Sequence, residues 1–139
     1  MIALMGASGN VGGQTAHLLL DQGVNVRVLG RHAERLRPLV DRGAEATICD
    51  IMDSDALTEA FEGATAVFVM TPPKYDVDNL RTYYMYAGES VVEAIRQSRV
   101  KHVVHLSSIG ANHTEGVGPV KGLHDQEQRL NAIHGLNVL

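Results

Sequence analysis

The chain has 139 residues, 45% of them hydrophobic and 20% charged, with a net charge of −4 and a single cysteine. That length fits one domain built around one sizeable core, and with aromatics at 4% and no Trp the core falls to Val, Leu, Ile and Ala. The acidic balance argues against a nucleic-acid partner, the lone Cys49 cannot form an internal disulfide and suits a reducing, cytoplasmic setting, and no apolar run reaches the roughly 20 residues of a membrane span.

The opening MIALMGASG has no basic region ahead of its apolar run, so it reads as a buried strand and not as a signal peptide. Further short aliphatic runs follow at Val24–Leu29, Ala44–Cys49, Ala64–Thr71 and Lys101–Leu106, and another begins at Asn137. They are continuous rather than alternating, as expected of parallel strands buried on both faces. Helices are predicted between them. Val11 to Gln22 carries Val11, Ala16, Leu18 and Leu19 before Gly23. His32 to Arg42 stops at Gly43. Asp53 is a natural N-cap for Ser54–Glu62. Asp78 to Ser98 has a stripe of Leu80, Tyr84, Ala87, Val91 and Ile95 at helical spacing. Val120 to His134 closes the series. Strand and helix alternate throughout, and crossovers between parallel strands are right-handed. The prediction is a doubly wound parallel α/β sheet of the Rossmann type, one domain over residues 1–139. The stretch Ser108–Pro119 has no periodicity and reads as a binding loop or lid.

The first motif is Gly6-Ala7-Ser8-Gly9-Asn10-Val11-Gly12, set between the first strand and the first helix. Glycines let the backbone turn tightly and approach a pyrophosphate, while the helix N-terminus offers unpaired N–H groups to it. A glycine-rich turn with no ligand is the plainer alternative. The second strand ends in Leu29-Gly30-Arg31, where an NAD site usually has a carboxylate for the ribose 2′-hydroxyl. Arg31 instead offers a guanidinium fork to a 2′-phosphate, with Arg35 one turn later, so NADP(H) is preferred over NAD(H); two solvated arginines are the alternative. Arg27, inside the strand, reads as a sheet-edge or face charge. At the end of the third strand, Asp50 and Ile51 suit an adenine amino group and ring, unless Asp50 only caps the next helix. The fourth strand ends in Thr71-Pro72-Pro73-Lys74, where Thr71 and Pro72 suit the nicotinamide ribose and Lys74 is either a phosphate contact or solvated. The fifth ends in Ser107-Ser108, beside the nicotinamide or merely satisfying local backbone groups.

On the last helix, Lys121/Asp125 and Asp125/Arg129 form i,i+4 pairs of a solvated face. Glu127 falls instead in the inward stripe of Leu123, Leu130 and His134, and a carboxylate there needs a partner or a cleft. His102 and His105 point to opposite faces of one strand, no HxxxH or HExxH spacing occurs, and no metal site is predicted. Tyr83, Tyr84 and Tyr86 form either an interface, and so a homodimer, or ordinary helix packing.

Taken together, GASGNVG, Arg31, CDIMD, HLSSIGA and the terminal KGLHDQEQRLNAIHGLNVL resemble the NmrA-like branch of the atypical short-chain dehydrogenase/reductases across essentially the whole chain. The resemblance implies NADP(H) bound by Gly6, Gly9, Asn10, Val11 and Gly12 at the phosphates, Arg31 at the 2′-phosphate, Asp50-Ile51 at adenine, and Thr71-Pro72 and Ser107 near the nicotinamide. It implies either a reductase of quinones or similar small electrophiles, or a non-enzymatic sensor of the nicotinamide pool. Two departures stand out. The Tyr-x-x-x-Lys pair of typical members is absent, the last tyrosine being Tyr86, and the position four before Glu127 is Leu123 where some relatives keep a lysine. Family members are also considerably longer and continue into a substrate-binding region, so the chain reads as the nucleotide-binding part.

Overall fold

The computed structural model describes residues 1–74, 76–113, 115 and 118–139. In chain order its elements are β1 (Ile2–Leu4), α1 (Asn10–Asp21), β2 (Val26–Gly30), α2 (Ala33–Val40), β3 (Glu45–Ile48), α3 (Ser54–Phe61), β4 (Ala66–Val69), α4 (Leu80–Ser98), β5 (His102–His105), a 3-10 turn (Gly118–Val120), α5 (Lys121–Asn131) and β6 (Asn137–Val138). The six strands form one sheet in the order β3-β2-β1-β4-β5-β6. Every pairing is parallel, with Ala3 in register with both Arg27 and Val67. This is the predicted Rossmann-type architecture. The chain winds outward from β1 to β3, then returns to start β4 on the other side of β1. Side chains at the carboxyl ends of β1 and β4 therefore flank a crevice, the usual place for a ligand in such a sheet.

Local chemistry fixes the elements. Asp53 caps α3, its side chain accepting from the Ala56 amide at 3.0 Å, as predicted. Asn79 does the same for α4 through the Thr82 amide. The sheet buries a core on each face. On one side α3, α4 and α5 lay Leu57, Phe61, Val91, Ile95 and Leu130 over Ala3, Met5, Val67, Val69 and Val103. On the other, α1 and α2 lay Ala16, Leu36 and Leu39 over Leu4, Val26, Val28 and Phe68. Burial of each Leu or Phe side chain stabilises the fold by about 1.5–3 kcal/mol, so this aliphatic core needs no tryptophan.

Some residues depart from the predicted pattern. Of the apolar residues noted on α1, Ala16 is buried with Gly12 against the sheet, while Val11 and Leu18 are 49% and 61% exposed. Runs of three leucines leave the inward face of a helix ambiguous, and small residues allow the closest approach to the sheet. β3 is not buried on both faces. It is a sheet edge, and Ile48 is half exposed. α5 ends at Asn131, so His134 lies beyond it, exposed, and does not extend the inward stripe. Tyr83 and Tyr84 are buried in the α3–α5 core, leaving Tyr86 alone of that cluster at the surface. Arg27, read from sequence as an edge or face charge, is a clamp. Its Nε pairs with Glu45 of β3 at 3.1 Å, and its Nη1 donates to the carbonyls of Ala60 and Glu62 at 2.9 Å each. Among the described residues no helix is long and apolar enough to cross a membrane.

Candidate functional site

The glycine loop fills the gap between β1 and α1. Gly6 has φ +68, and a Cβ there would stand 2.1 Å from the Met70 sulfur at the end of β4. Gly12 is buried, and a Cβ on it would meet the Gly6 carbonyl oxygen at 2.4 Å. Gly12 thus requires glycine for space, its neighbours being backbone, while Gly6 requires it first for its positive φ, the flexible Met70 side chain being able to give way. Gly9 is the N-cap of α1 and accepts the Gly13 amide at 2.9 Å, while no side chain caps the helix. Ser8, Gly9, Asn10 and Val11 all lie exposed along the loop and first turn. An uncapped helix start, with its first amides and the positive dipole end turned to solvent, is what an anionic phosphate needs.

Beside the loop lies a cavity of about 160 Å³ at the carboxyl ends of β1–β4. Its walls include Gly6, Ser8, Arg31, Asp50, Ile51 and Pro72, six of the residues predicted from sequence. Leu29, Cys49, Leu57 and Met70 supply an apolar floor. Gly9, Asn10, Val11 and Gly12 adjoin it on the loop but do not line it. Thr71 and Ser107 stand apart from it as well. Thr71 is buried, and Ser107 is half-buried at the end of β5, donating its hydroxyl to Glu127 Oε1 on α5. That contact gives the inward carboxylate of α5 the partner it requires. Asp50 is divided between two tasks. Its Oδ1 accepts the Met52 amide at 2.9 Å, a turn contact, while Asp53 takes the capping work. The second oxygen of Asp50 is left for another donor.

Lining residues also include Lys74 and Tyr83. Tyr83 was read from sequence as either an interface residue or ordinary helix packing; it is buried, and its phenol reaches back from α4 to donate to the Pro72 carbonyl at 3.0 Å. Burial, then the Asp50 carboxylate, pushes the Tyr83 phenol above its ordinary range. Nothing in helical spacing could have revealed that reach. Cys49 is pushed up to about 11, first by burial and then by Asp50 and Asp53, so its thiol is neutral and a poor nucleophile. On the neighbouring part of the sheet, His105 shares the α5 side of β5 with Ser107. Burial lowers its pKa against the opposing pull of Glu127, and both ring nitrogens are buried without a hydrogen-bond partner among the described residues. Lys121 pairs with Asp125 at 2.6 Å as predicted, but the pair is half-buried and not on a solvated face. His124 approaches the Ala111 carbonyl at 2.6 Å and so ties α5 to the loop after β5. Within the predicted binding loop, Thr114, Gly116 and Val117 lie outside the described residues, whereas Ile109 is fully exposed and Ala111 buried.

Known proteins resemble this chain in sequence and fold. A family model described as NAD(P)H-binding matches residues 6–132. An NAD(P)H azoreductase from Xenophilus azovorans is 28% identical over 130 residues, covering 94% of this chain and 43% of that protein. The NmrA-like family domain-containing oxidoreductase hkm9 from Aspergillus hancockii is 33% identical over 129 residues, covering 83% and 35%. The crystal structure of the Citrobacter sp. triphenylmethane reductase complexed with NADP(H) superposes with a TM-score of 0.81 at 26% identity, over 94% of this chain and 45% of that one. The chain spans less than half the length of these proteins. Matched over nearly all its length, glycine loop included, the chain belongs to the NAD(P)H-binding family, with NmrA-like proteins among its relatives.

Proposed function

We propose that the chain is the NADPH-binding part of a reductase that delivers hydride to a small, conjugated electrophile such as a quinone, and that it prefers NADPH to NADH. The observation that carries this reading is Arg31. It stands at the end of β2 on the wall of the same cavity as Gly6 and Asp50, with no carboxylate paired to it among the described residues. A guanidinium so placed offers a bidentate contact to a ribose 2′-phosphate. The roles of the remaining residues follow from position. Gly6, Ser8, Gly9, Asn10, Val11 and Gly12 form the loop and helix start that receive the pyrophosphate, the Gly9 amide being spent on the Gly6 carbonyl at 2.9 Å. Asp50 Oδ2 accepts the adenine amino group while Ile51 packs against the ring. Thr71 and Pro72 border the nicotinamide ribose, and Ser107 lies on the nicotinamide side. The bound cofactor supplies the hydride; the chain's work is to hold and orient it. Because Ser107 gives its proton to Glu127, its lone pairs are free to accept a hydrogen bond from the bound ligand. A conjugated acceptor suits a crevice with no Tyr-x-x-x-Lys pair, since its product anion is delocalised and needs little acid assistance. The names of the relatives, an azoreductase and a triphenylmethane reductase, agree with acceptors of that kind.

The missing acid–base pair also favours a second reading, in which NADP(H) occupancy regulates a protein contact and no turnover occurs. Calorimetric titration with NADPH and with NADH, followed by assay against a panel of quinones, separates the two. Tight NADPH binding with turnover supports the reductase, whereas stoichiometric binding without turnover on any quinone refutes it and leaves the sensor. Binding of neither nucleotide refutes both.

A further inference from the structure

A second cation lines the cavity that holds Arg31, and its placement is built rather than incidental. Lys74 follows Pro72-Pro73, a segment whose fixed φ angles stiffen the exit from β4. Tyr83 pins that segment from α4, its hydroxyl donating to the Pro72 carbonyl at 3.0 Å. The ring of Tyr83 is itself fixed, 7% exposed and packed edge-on against Tyr84 at 5.7 Å between centroids. The Lys74 ammonium stands 5.9 Å from the centre of the Tyr83 ring, within cation–π range, which keeps the flexible lysine stem on the cavity wall. Neither Lys74 nor Arg31 makes an ion pair among the described residues. The lining thus holds two cations against the single carboxylate of Asp50, while from outside the lining Asp76 acts on Tyr83 and Asp53 on Cys49.

We propose that Lys74 is a specificity-determining residue, the partner of Arg31 in binding the 2′-phosphate of an NADP-type cofactor. This rests on the reading of Arg31 above. The charge balance supplies the reason. The lining side chains alone, two cations and one carboxylate, carry one net positive charge, which matches a phosphate monoester carrying about −1.5 to −2. A 2′-hydroxyl in the same place would leave one cation facing a neutral group. Arg31 provides the planar fork, and Lys74 a compact point charge with three donors on the opposite strand end.

The test compares Lys74→Met, Lys74→Arg and Arg31→Ala with the unsubstituted chain in calorimetric titrations with NADPH and NADH. Methionine keeps an unbranched stem against Tyr83 and removes only the charge. Thermal melts serve as the folding check, and the half-exposed position predicts them unchanged. Lys74→Met is expected to weaken NADPH binding roughly tenfold while NADH binding changes less than twofold, the scale of one charge-assisted hydrogen bond. Lys74→Arg restores most of it. Equal losses for both nucleotides overturn the proposal by moving Lys74 to the shared pyrophosphate, and no loss for either overturns it outright. Arg31→Ala reports on the underlying reading independently. If it loses NADPH selectively while Lys74→Met is silent, only the proposal for Lys74 falls. If the unsubstituted chain shows no preference for NADPH, both fall.

Discussion

Gly12→Ala isolates the packing on which the glycine loop depends. The new methyl would sit 2.4 Å from the Gly6 carbonyl oxygen, 2.6 Å from its carbon and 3.0 Å from the Met5 oxygen. All three are backbone atoms and none can rotate away. Ordinary contact needs about 3.4 Å, so the start of α1 must withdraw by about 1 Å. Overpacking of this kind costs roughly 1–3 kcal/mol, and rigid backbone on the far side places it at the upper end. Alanine recovers about 1 kcal/mol of helix propensity over glycine, leaving a net loss of about 2 kcal/mol. With an unfolding entropy of about 2.1 cal/mol/K per residue, a domain of this length should melt about 7 °C lower. If the helix start holds the cofactor phosphates as proposed, binding should suffer more than stability, because the same 1 Å shift moves its amides away; a displacement of that size can cost about 100-fold. The assays are a thermal melt and a calorimetric titration with NADPH. An unchanged melting temperature together with unchanged affinity would refute the close approach of α1 to the β1 turn, and with it the steric account of the motif.

Other consequences are open to direct measurement. Arg27→Met removes the ion pair to Glu45 and two donations to the end of α3, so a loss of about 2 kcal/mol is expected in urea unfolding; a neutral result would show that water replaces the clamp at no cost. His105 is held neutral by burial, its folded pKa below the ordinary 6.5. The unfolded chain then binds more protons than the folded one just below pH 6.5, and stability should fall as pH drops through 6.5 toward the folded value. His105→Leu should flatten that slope in melts from pH 7.5 to 5.5, and an identical slope in the variant would assign it to other groups. Cys49, with its pKa near 11, should react with a thiol probe at pH 8 far more slowly in the folded chain than in urea; equal rates would contradict its burial.

What the sequence reveals of this fold follows from which forces act locally. The order of strands and helices, the cap at Asp53 and the glycine spacing from Gly6 to Gly12 are all decided within a few residues, and each was legible. The position of Arg31 followed from the end of its strand. By contrast, Gly6 packs against Met70, sixty-four positions away, and Arg27 is held by Glu45, Ala60 and Glu62. Tyr83 belongs to the cavity only because α4 folds back over the end of β4. Glu127 shows the boundary between the two cases. Its inward register pointed to a partner, yet the identity of that partner, Ser107, depended on how α5 lies across β5. On α1 the apolar residues Val11, Ala16, Leu18 and Leu19 do not by themselves say which face meets the sheet; the close approach selects Gly12 and Ala16 and leaves Val11 and Leu18 exposed.

The Arg27 clamp has a dynamic consequence. It fastens β2, the edge strand β3 and the C-terminal turn of α3 through one guanidinium, so an opening of the exposed edge strand must also release the helix. Elements tied in this way open as one cooperative unit in hydrogen exchange rather than fraying separately. Arg31, Asp50 and Ile51 all lie within that unit, at or just beyond the ends of its strands. The end of the crevice lined by Arg31, Asp50 and Ile51 therefore keeps its shape on the timescale of the whole unit, not of an edge strand, and a nucleotide bound as proposed would meet a wall already formed.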